Sequence, residues 1–564
     1  MILYDKILIG IVVGGALFLY ILAGVAVRVI SNKWRAVYCV PVLAGMLLLA
    51  MCDFEISMLG AYLGAVILLA GFIKDSVKVR RRACVAAAVL GLVTIPVCMM
   101  NKGYRCVNYV QDFKDGVASM KDHYILAEHK GVDLDALYET YLPMFEEANR
   151  NHDEVQNYIA WASFTAEFHD GHIGFLPNEE ETMQAAYERV CGNDYGLALM
   201  TLEDGRTVAV NVEENDFFRE AGIHNGTVIT SWDGYNIAEV AKETLAYHMF
   251  AYPLADKDNE DFCRDLFAAG VGGDSVKITY LDDSNVEKEL VLPKLGNYYE
   301  RLKDTLEIIN QGVETGHMMW AEIDEETVCL RIKLMMYDSE TSKTENYGSM
   351  QAEIRAKAEE YKAAGKKHLI LDLRGNGGGS GQMVKALASL FAPKGEYYYC
   401  TDGLWDDKSE CYLKDATGHY VPGKEHYFRG ENIWDGPVTI LVNSSSISAA
   451  DHLTKVMQGM ENVTIMGFTE PNGSGQGVGS CLLESGELSF SGSLLLDRNG
   501  DIFVDSGVDR ESTNDIDVQI PFDENAVRVL FDEGGDYVLQ KCMEYRNIVA
   551  NSACYGIIDS TTEN

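Results

Sequence analysis

Lys367-His368-Leu369-Ile370-Leu371-Asp372-Leu373-Arg374-Gly375-Asn376-Gly377-Gly378-Gly379 opens as a strand and closes on four glycines within five residues. A buried strand that ends in such a turn, with a helix from about 381 to 392 after it, is half of a βαβ unit. Glycine permits backbone angles and close approaches that a side chain forbids. Exposed N–H groups in the turn form a nest for an anion, either a phosphate or the oxyanion of acyl transfer. No Gly-Lys-Ser/Thr follows, and the spacing fits neither the P-loop nor the dinucleotide fingerprint, so phosphate is disfavoured. A plain tight turn is the alternative.

Outward from this turn, residues 319–530 alternate strands and helices. Thr327–Lys333 reads as a strand, a Glu- and Lys-rich helix covers about 346–364, and Pro437–Val442 and Asn462–Met466 read as further strands. Between the last two lies Leu441-Val442-Asn443-Ser444-Ser445-Ser446-Ile447-Ser448-Ala449-Ala450-Asp451, with a helix beginning at about 448. A serine where a core strand gives way to a helix presents its hydroxyl at an open strand end, near the unpaired N–H groups of the first turn. Taken singly, each serine here also suits an N-cap. The Gly-x-Ser-x-Gly elbow of the α/β-hydrolases is absent.

Before this core, residues 104–168 carry apolar positions three and four apart (Leu134, Leu137, Tyr141, Met144), a helical pattern. It stops at Phe168-His169-Asp170-Gly171-His172-Ile173-Gly174-Phe175, which puts His172 on a turn. Residues 190–293 look β-rich: Tyr195-Gly196-Leu197-Ala198-Leu199, then Thr207–Val212, the turn Asn225-Gly226 and the strand Thr227–Trp232. That order resembles a PDZ domain, in which a loop at the place of Gly196, Leu197, Ala198 and Leu199 receives a peptide C-terminus.

Apolar stretches at about 7–30, 36–52, 56–73 and 84–100 each approach the length of a membrane-crossing helix. Lys33 and Arg35 lie in one connecting loop, and Lys74, Lys78, Arg80, Arg81 and Arg82 in another; the middle loop holds Asp53 and Glu55. The positive-inside rule makes the basic loops cytoplasmic, so the expectation is a multi-pass cell-membrane protein with its N-terminus and the part after residue 100 extracytoplasmic.

The chain has 47 Lys and Arg against 85 Asp and Glu, a net charge of −38. Such a surface repels phosphate backbones, which excludes nucleic acid as a partner. The 13 cysteines form no CxxC pair, so neither a zinc site nor a thioredoxin-like motif is indicated. Cys400 and Cys411 are candidates for a disulfide if the compartment is oxidising.

In order along the chain, the helical lead-in, Asp170-Gly171-His172, the PDZ-like module, Leu371–Gly379, Asn443–Asp451 and Gly507-Val508 resemble the tail-specific (C-terminal processing) serine peptidase family. The similarity is greatest to the branch that includes the tricorn core. It implies Ser448 as nucleophile, because the family serine has an acid three residues on, here Asp451. It implies an oxyanion hole from the backbone of Gly378 and Ala449. The Ser–Lys branch places its lysine about 25 residues after the serine, but Pro471-Asn472-Gly473-Ser474-Gly475 holds none. The tricorn-like branch takes a histidine from the lead-in, which corresponds to His172 as general base. Such a base needs an orienting acid. Asp505, two residues before Gly507, is the first candidate and Asp170 the second.

The expected fold class is therefore an α/β (α+β) peptidase core with an inserted PDZ-like β module, preceded by an all-α four-helix transmembrane region. The expected division is 1–103 as the four-span anchor, 104–189 as the lead-in carrying His172 and 190–295 as the PDZ-like module. The core spans 296–550 and a polar tail 551–564. The expected function is a membrane-anchored serine endopeptidase that cleaves peptides or C-terminal tails of extracytoplasmic proteins through a Ser–His acyl-enzyme, with no metal or cofactor. Its partners would be a polypeptide and the lipid bilayer. The alternative is an inactive peptide-binding or sensor protein that keeps the fold.

Overall fold

The computed structural model describes residues 107–242, 254–270, 272–311, 318–336, 344–409 and 411–555. Three helices lead in, Tyr109–His123, Leu134–Asn151 and Glu154–Ala166, each begun by an Asn or Asp whose side chain accepts first-turn N–H groups: Asn108, Asp133 and Asp153. Such caps stabilise a helix by about 1 kcal/mol each. The helices share an aromatic core in which Phe113 stacks on Phe145 and meets Trp161 and Phe164 edge-on. Leu134, Leu137, Tyr141 and Met144 are only half-buried, and Phe145 and Ala148 face the interior instead.

The core sheet has six strands in the order Val518–Gln519, Val463–Gly467, Val438–Val442, His368–Asp372, Thr327–Ile332, Met318–Glu322. Neighbours run parallel except at the Met318–Glu322 edge. Thr327–Ile332, His368–Asp372 and Val438–Val442 are buried at every position. A strand covered on both faces must be apolar on both, which is why these segments read as runs rather than alternations.

On one face Val328, Leu330, Leu369, Leu371, Ile440 and Val442 pack against the helices Thr344–Ala363, Gly381–Phe391 and Ala449–Met457. On the other, Cys329, Ile370, Leu441 and Met466 join a second core shared with Tyr298–Asn310, Tyr537–Tyr555 and the β-rich module. The described residues of that module include the sheets Ala198–Thr201 with Thr207–Val210, and Ile229–Trp232 with Ser275–Leu281 and Glu287–Pro293. Because it shares the second core, it is fused to the sheet rather than tethered to it. Cys400 and Cys411 are both free.

The four-helix transmembrane region expected from sequence is corrected. The stretches 7–30, 36–52, 56–73 and 84–100 lie outside the described residues. Among the described residues no helix is long and apolar enough to cross a membrane. Thr344–Ala363 has 20 residues, yet Glu353, Arg355, Lys357, Glu359, Glu360 and Lys362 interrupt it. The described residues form an α/β core with no spanning helix among them. The lipid-bilayer partner and the multi-pass, extracytoplasmic placement lose their structural basis with it.

Candidate active site

Val438–Val442 carries the chain to the open end of the sheet, and Asn443–Ser448 turns it into the Ala449–Met457 helix. Of the serines there, Ser446 is fully buried and its hydroxyl donates to Leu373 O at 2.8 Å. Ser448 is half-buried and has φ +61° and ψ −113°. A non-glycine residue in that region is strained and persists only where its surroundings enforce it. Here the Ser448 N–H donates to Ser474 O at 3.1 Å and Asp451 Oδ2 at 2.9 Å, while Ser448 O accepts from the His452 N–H at 3.0 Å.

The glycine turn closes over this serine. Gly378, at φ +82°, has no room for a side chain: a Cβ would stand 2.6 Å from Ser448 Cβ and 3.2 Å from Ser448 Oγ. The turn is strapped from below, Met335 N–H donating to Gly378 O and Gly377 N–H to Lys333 O. The Gly378 N–H itself donates to Asn376 Oδ1 at 2.9 Å, so this candidate oxyanion donor is engaged by a neighbouring side chain. Ala449 is buried and opens the helix, its N–H in the first turn where no intrahelical acceptor exists.

Asp170-Gly171-His172 approaches from the lead-in. The Gly171 N–H donates to Ser474 Oγ at 2.8 Å, and a Cβ on Gly171 would lie 2.4 Å from Asn472 Oδ1 and 2.6 Å from Ile447 Cδ1. The histidine turn and Ser448 are thus both hydrogen-bonded to Ser474, one through its hydroxyl and one through its carbonyl. His172 is buried, and neither ring nitrogen has a hydrogen-bond partner. Burial pushes its pKa down, opposed by the Asp170 charge and assisted by Lys130, which keeps the imidazole neutral near pH 7.

The two candidate acids differ. Asp170 Oδ1 accepts the backbone N–H of His172 at 2.9 Å, so it shapes the turn, and its Oδ2 has no hydrogen-bond partner. Asp505 Oδ2 accepts the Gly475 N–H at 2.9 Å, and its Oδ1 accepts no hydrogen bond. Burial pushes Asp505 up to about 7, with Lys130 pulling it down and Asp170 pushing further up. Neither carboxylate is hydrogen-bonded to the His172 ring. Lys130 went unnoticed in the sequence. It is almost wholly buried; Nζ donates to His169 O at 3.0 Å and Ser506 O at 3.1 Å, and lies 3.8 Å from Asp505 Oδ1. It pins the histidine turn to the Asp505 loop, and only a three-dimensional neighbourhood reveals that.

Gly196, Leu197, Ala198 and Leu199 lie inside the β-rich module. Leu197, Ala198 and Leu199 are fully buried, the Gly196 N–H donates to Asp194 Oδ1 at 2.8 Å, and Gly196 O accepts from the Glu213 N–H at 2.7 Å.

Residues 330–511 match the model of Peptidase family S41, and residues 107–156 match the Tricorn protease C1 domain. No curated protein sequence matches the chain. Among solved structures, mature CPAF complexed with lactacystin is 14% identical, covering 80% of this chain and 98% of its own, at a TM-score of 0.50. The photosystem II D1 C-terminal processing protease is 17% identical, covering 76% and 99%, at 0.32. The tricorn protease is 13% identical, covering 78% and 36%, at 0.34. At such identities the likeness to CPAF is one of fold. With the family match lying over the glycine turn, the Ser448 loop and the Asp505 loop, the chain is a serine-type peptidase, a hydrolase.

Proposed function

We propose that this peptidase cleaves polypeptides internally through an acyl-enzyme, with Ser448 as nucleophile and His172 as general base. The observation that supports this most is the common docking of the Ser448 and His172 turns on Ser474. A serine hydroxyl is a weak nucleophile near pH 7 and needs a neutral base that can reach it, and burial keeps the His172 imidazole neutral for that role. His172 takes the hydroxyl proton as Oγ attacks the scissile carbonyl. The oxyanion develops toward the Ala449 N–H and toward the Gly378 N–H, displacing Asn376 Oδ1 as acceptor. The imidazolium then protonates the leaving amine, and water repeats the sequence on the ester. Asp505 and Asp170 each keep one oxygen without a hydrogen-bond partner, so the choice of Asp505 as the orienting acid rests on the family resemblance.

Engagement through the substrate's C-terminus, with the β-rich module as a PDZ-like receptor, rests on the family resemblance. Peptides with a free C-terminal carboxylate should then be cleaved faster than their amides. Equal rates would remove the tail-specific part and leave the peptidase. For the mechanism, a fluorophosphonate probe should label the wild type. Labelling should fall by about a thousandfold or more in Ser448→Ala and in His172→Ala. Labelling of Ser448→Ala at the wild-type rate would overturn the assignment.

A further inference from the structure

Resting on the Ser448–His172 reading, we propose that His452 is a positioning residue: with Tyr399 and Phe503 it frames the back of the site and holds the 472–476 turn in register. His452 follows Ser448 by one helical turn and is buried. Its Nε2 lies 2.6 Å from Gly475 O, and a carbonyl only accepts, so Nε2 carries the proton. Nδ1 is then the acceptor and takes the Tyr399 hydroxyl at 2.5 Å. With both nitrogens committed, His452 has no lone pair for Ser448 and is not a rival base.

The frame touches each loop of the site. Gly475, whose carbonyl it holds, donates its N–H to Asp505 Oδ2. The adjacent Ser474 receives Ser448 on its carbonyl and Gly171 on its hydroxyl. A Cβ on Gly475 would stand 3.1 Å from His452 Nε2 and 2.6 Å from Val504 Cβ, so the turn is fitted against the ring. On the far side the Tyr399 hydroxyl is 3.0 Å from the place of a Cβ on Gly381, just past the glycine turn. Phe503, two residues before Asp505, meets His452 edge-on at 5.1 Å and Tyr399 at 6.1 Å. One imidazole therefore ties the nucleophile helix to the turn between Ser448 and His172, and through Tyr399 to the end of the glycine turn. Burial pushes its pKa down to about 4, against the Gly475 bond and with His172 assisting, so it stays neutral while the enzyme works.

The competing account is that His452 only fills volume, and His452→Gln and His452→Leu in the full chain separate the two. Gln keeps an N–H for Gly475 O; Leu fills space without one. With a fluorophosphonate probe, His452→Leu should lower the maximal labelling rate by about tenfold to a hundredfold while half-saturation stays within about twofold. His452→Gln should recover most of the rate. Nitrogen-15 NMR of the wild-type histidines should show the His452 ring protonated at Nε2 and bare at Nδ1. A wild-type rate in His452→Leu, a His452→Gln as slow as the Leu variant, or an Nδ1–H tautomer overturns the proposal. If the wild type is not labelled at all, that failure belongs to the Ser448–His172 reading, and the tautomer still decides the clamp. It decides equally if His452→Leu does not fold.

Discussion

Ser448 and Lys130 represent two kinds of residue, one visible in the sequence and one not. Ser448 announces itself because a strand, a polar loop and a helix with an acid at its third position meet there. Lys130 has partners 39 and 376 residues away and no local pattern. Its ammonium faces Asp505 where both side chains are almost wholly buried. Lys130→Met would remove the charge that holds the Asp505 pKa down and the ties to His169 O and Ser506 O. Asp505 should then stay protonated to higher pH, and urea unfolding should show a loss of about 1–3 kcal/mol. Asp505 carries a second prediction. Its folded pKa, about 7, is raised above the unfolded value, so between about 4 and 7 the folded state binds the extra proton. Stability from this group is therefore lost as pH rises through that window. Asp505→Asn should flatten the fall, and denaturation midpoints at pH 5 and pH 8 will test it; an unchanged difference between the two pH values in the variant would contradict the assignment.

At the scale of elements, the parallel strands were legible because burial on both faces demands apolar runs, and Thr327–Ile332, His368–Asp372, Val438–Val442 and Val463–Gly467 lie where those runs lie. The strand pair Gly395–Gly403 and Pro422–Gly430 was missed, since Pro422–Gly430 is mostly exposed and has no apolar stripe to betray it. Ile440→Ala removes a fully buried side chain from the central strand and should cost about 2–5 kcal/mol by calorimetry or urea. Gly378→Ala is of a different kind. The added methyl enters at φ +82° against Ser448, so labelling should be lost while the fold persists by circular dichroism. Full labelling of that variant would show that the glycine turn does not close over the serine.

Across the whole molecule, a net charge of −38 surrounds a peptidase, and a field of that sign attracts cationic substrates from a distance. Peptides with basic flanks should therefore show higher kcat/KM at low salt, the advantage shrinking as ionic strength rises; a salt-independent ratio would confine specificity to the site. The site itself was readable only as separated motifs. The docking of two of them, through Gly171 and Ser448, on Ser474 required the fold, and so did the burial of Leu197, Ala198 and Leu199, which a strand-turn-strand pattern does not disclose. The most direct measurement is to react the full chain with a fluorophosphonate, digest it and locate the adduct by mass spectrometry, in the wild type and in His172→Ala. A single adduct on Ser448 that His172→Ala all but abolishes is the predicted result. An adduct on another residue, or one on Ser448 that forms as fast without the imidazole, would contradict it.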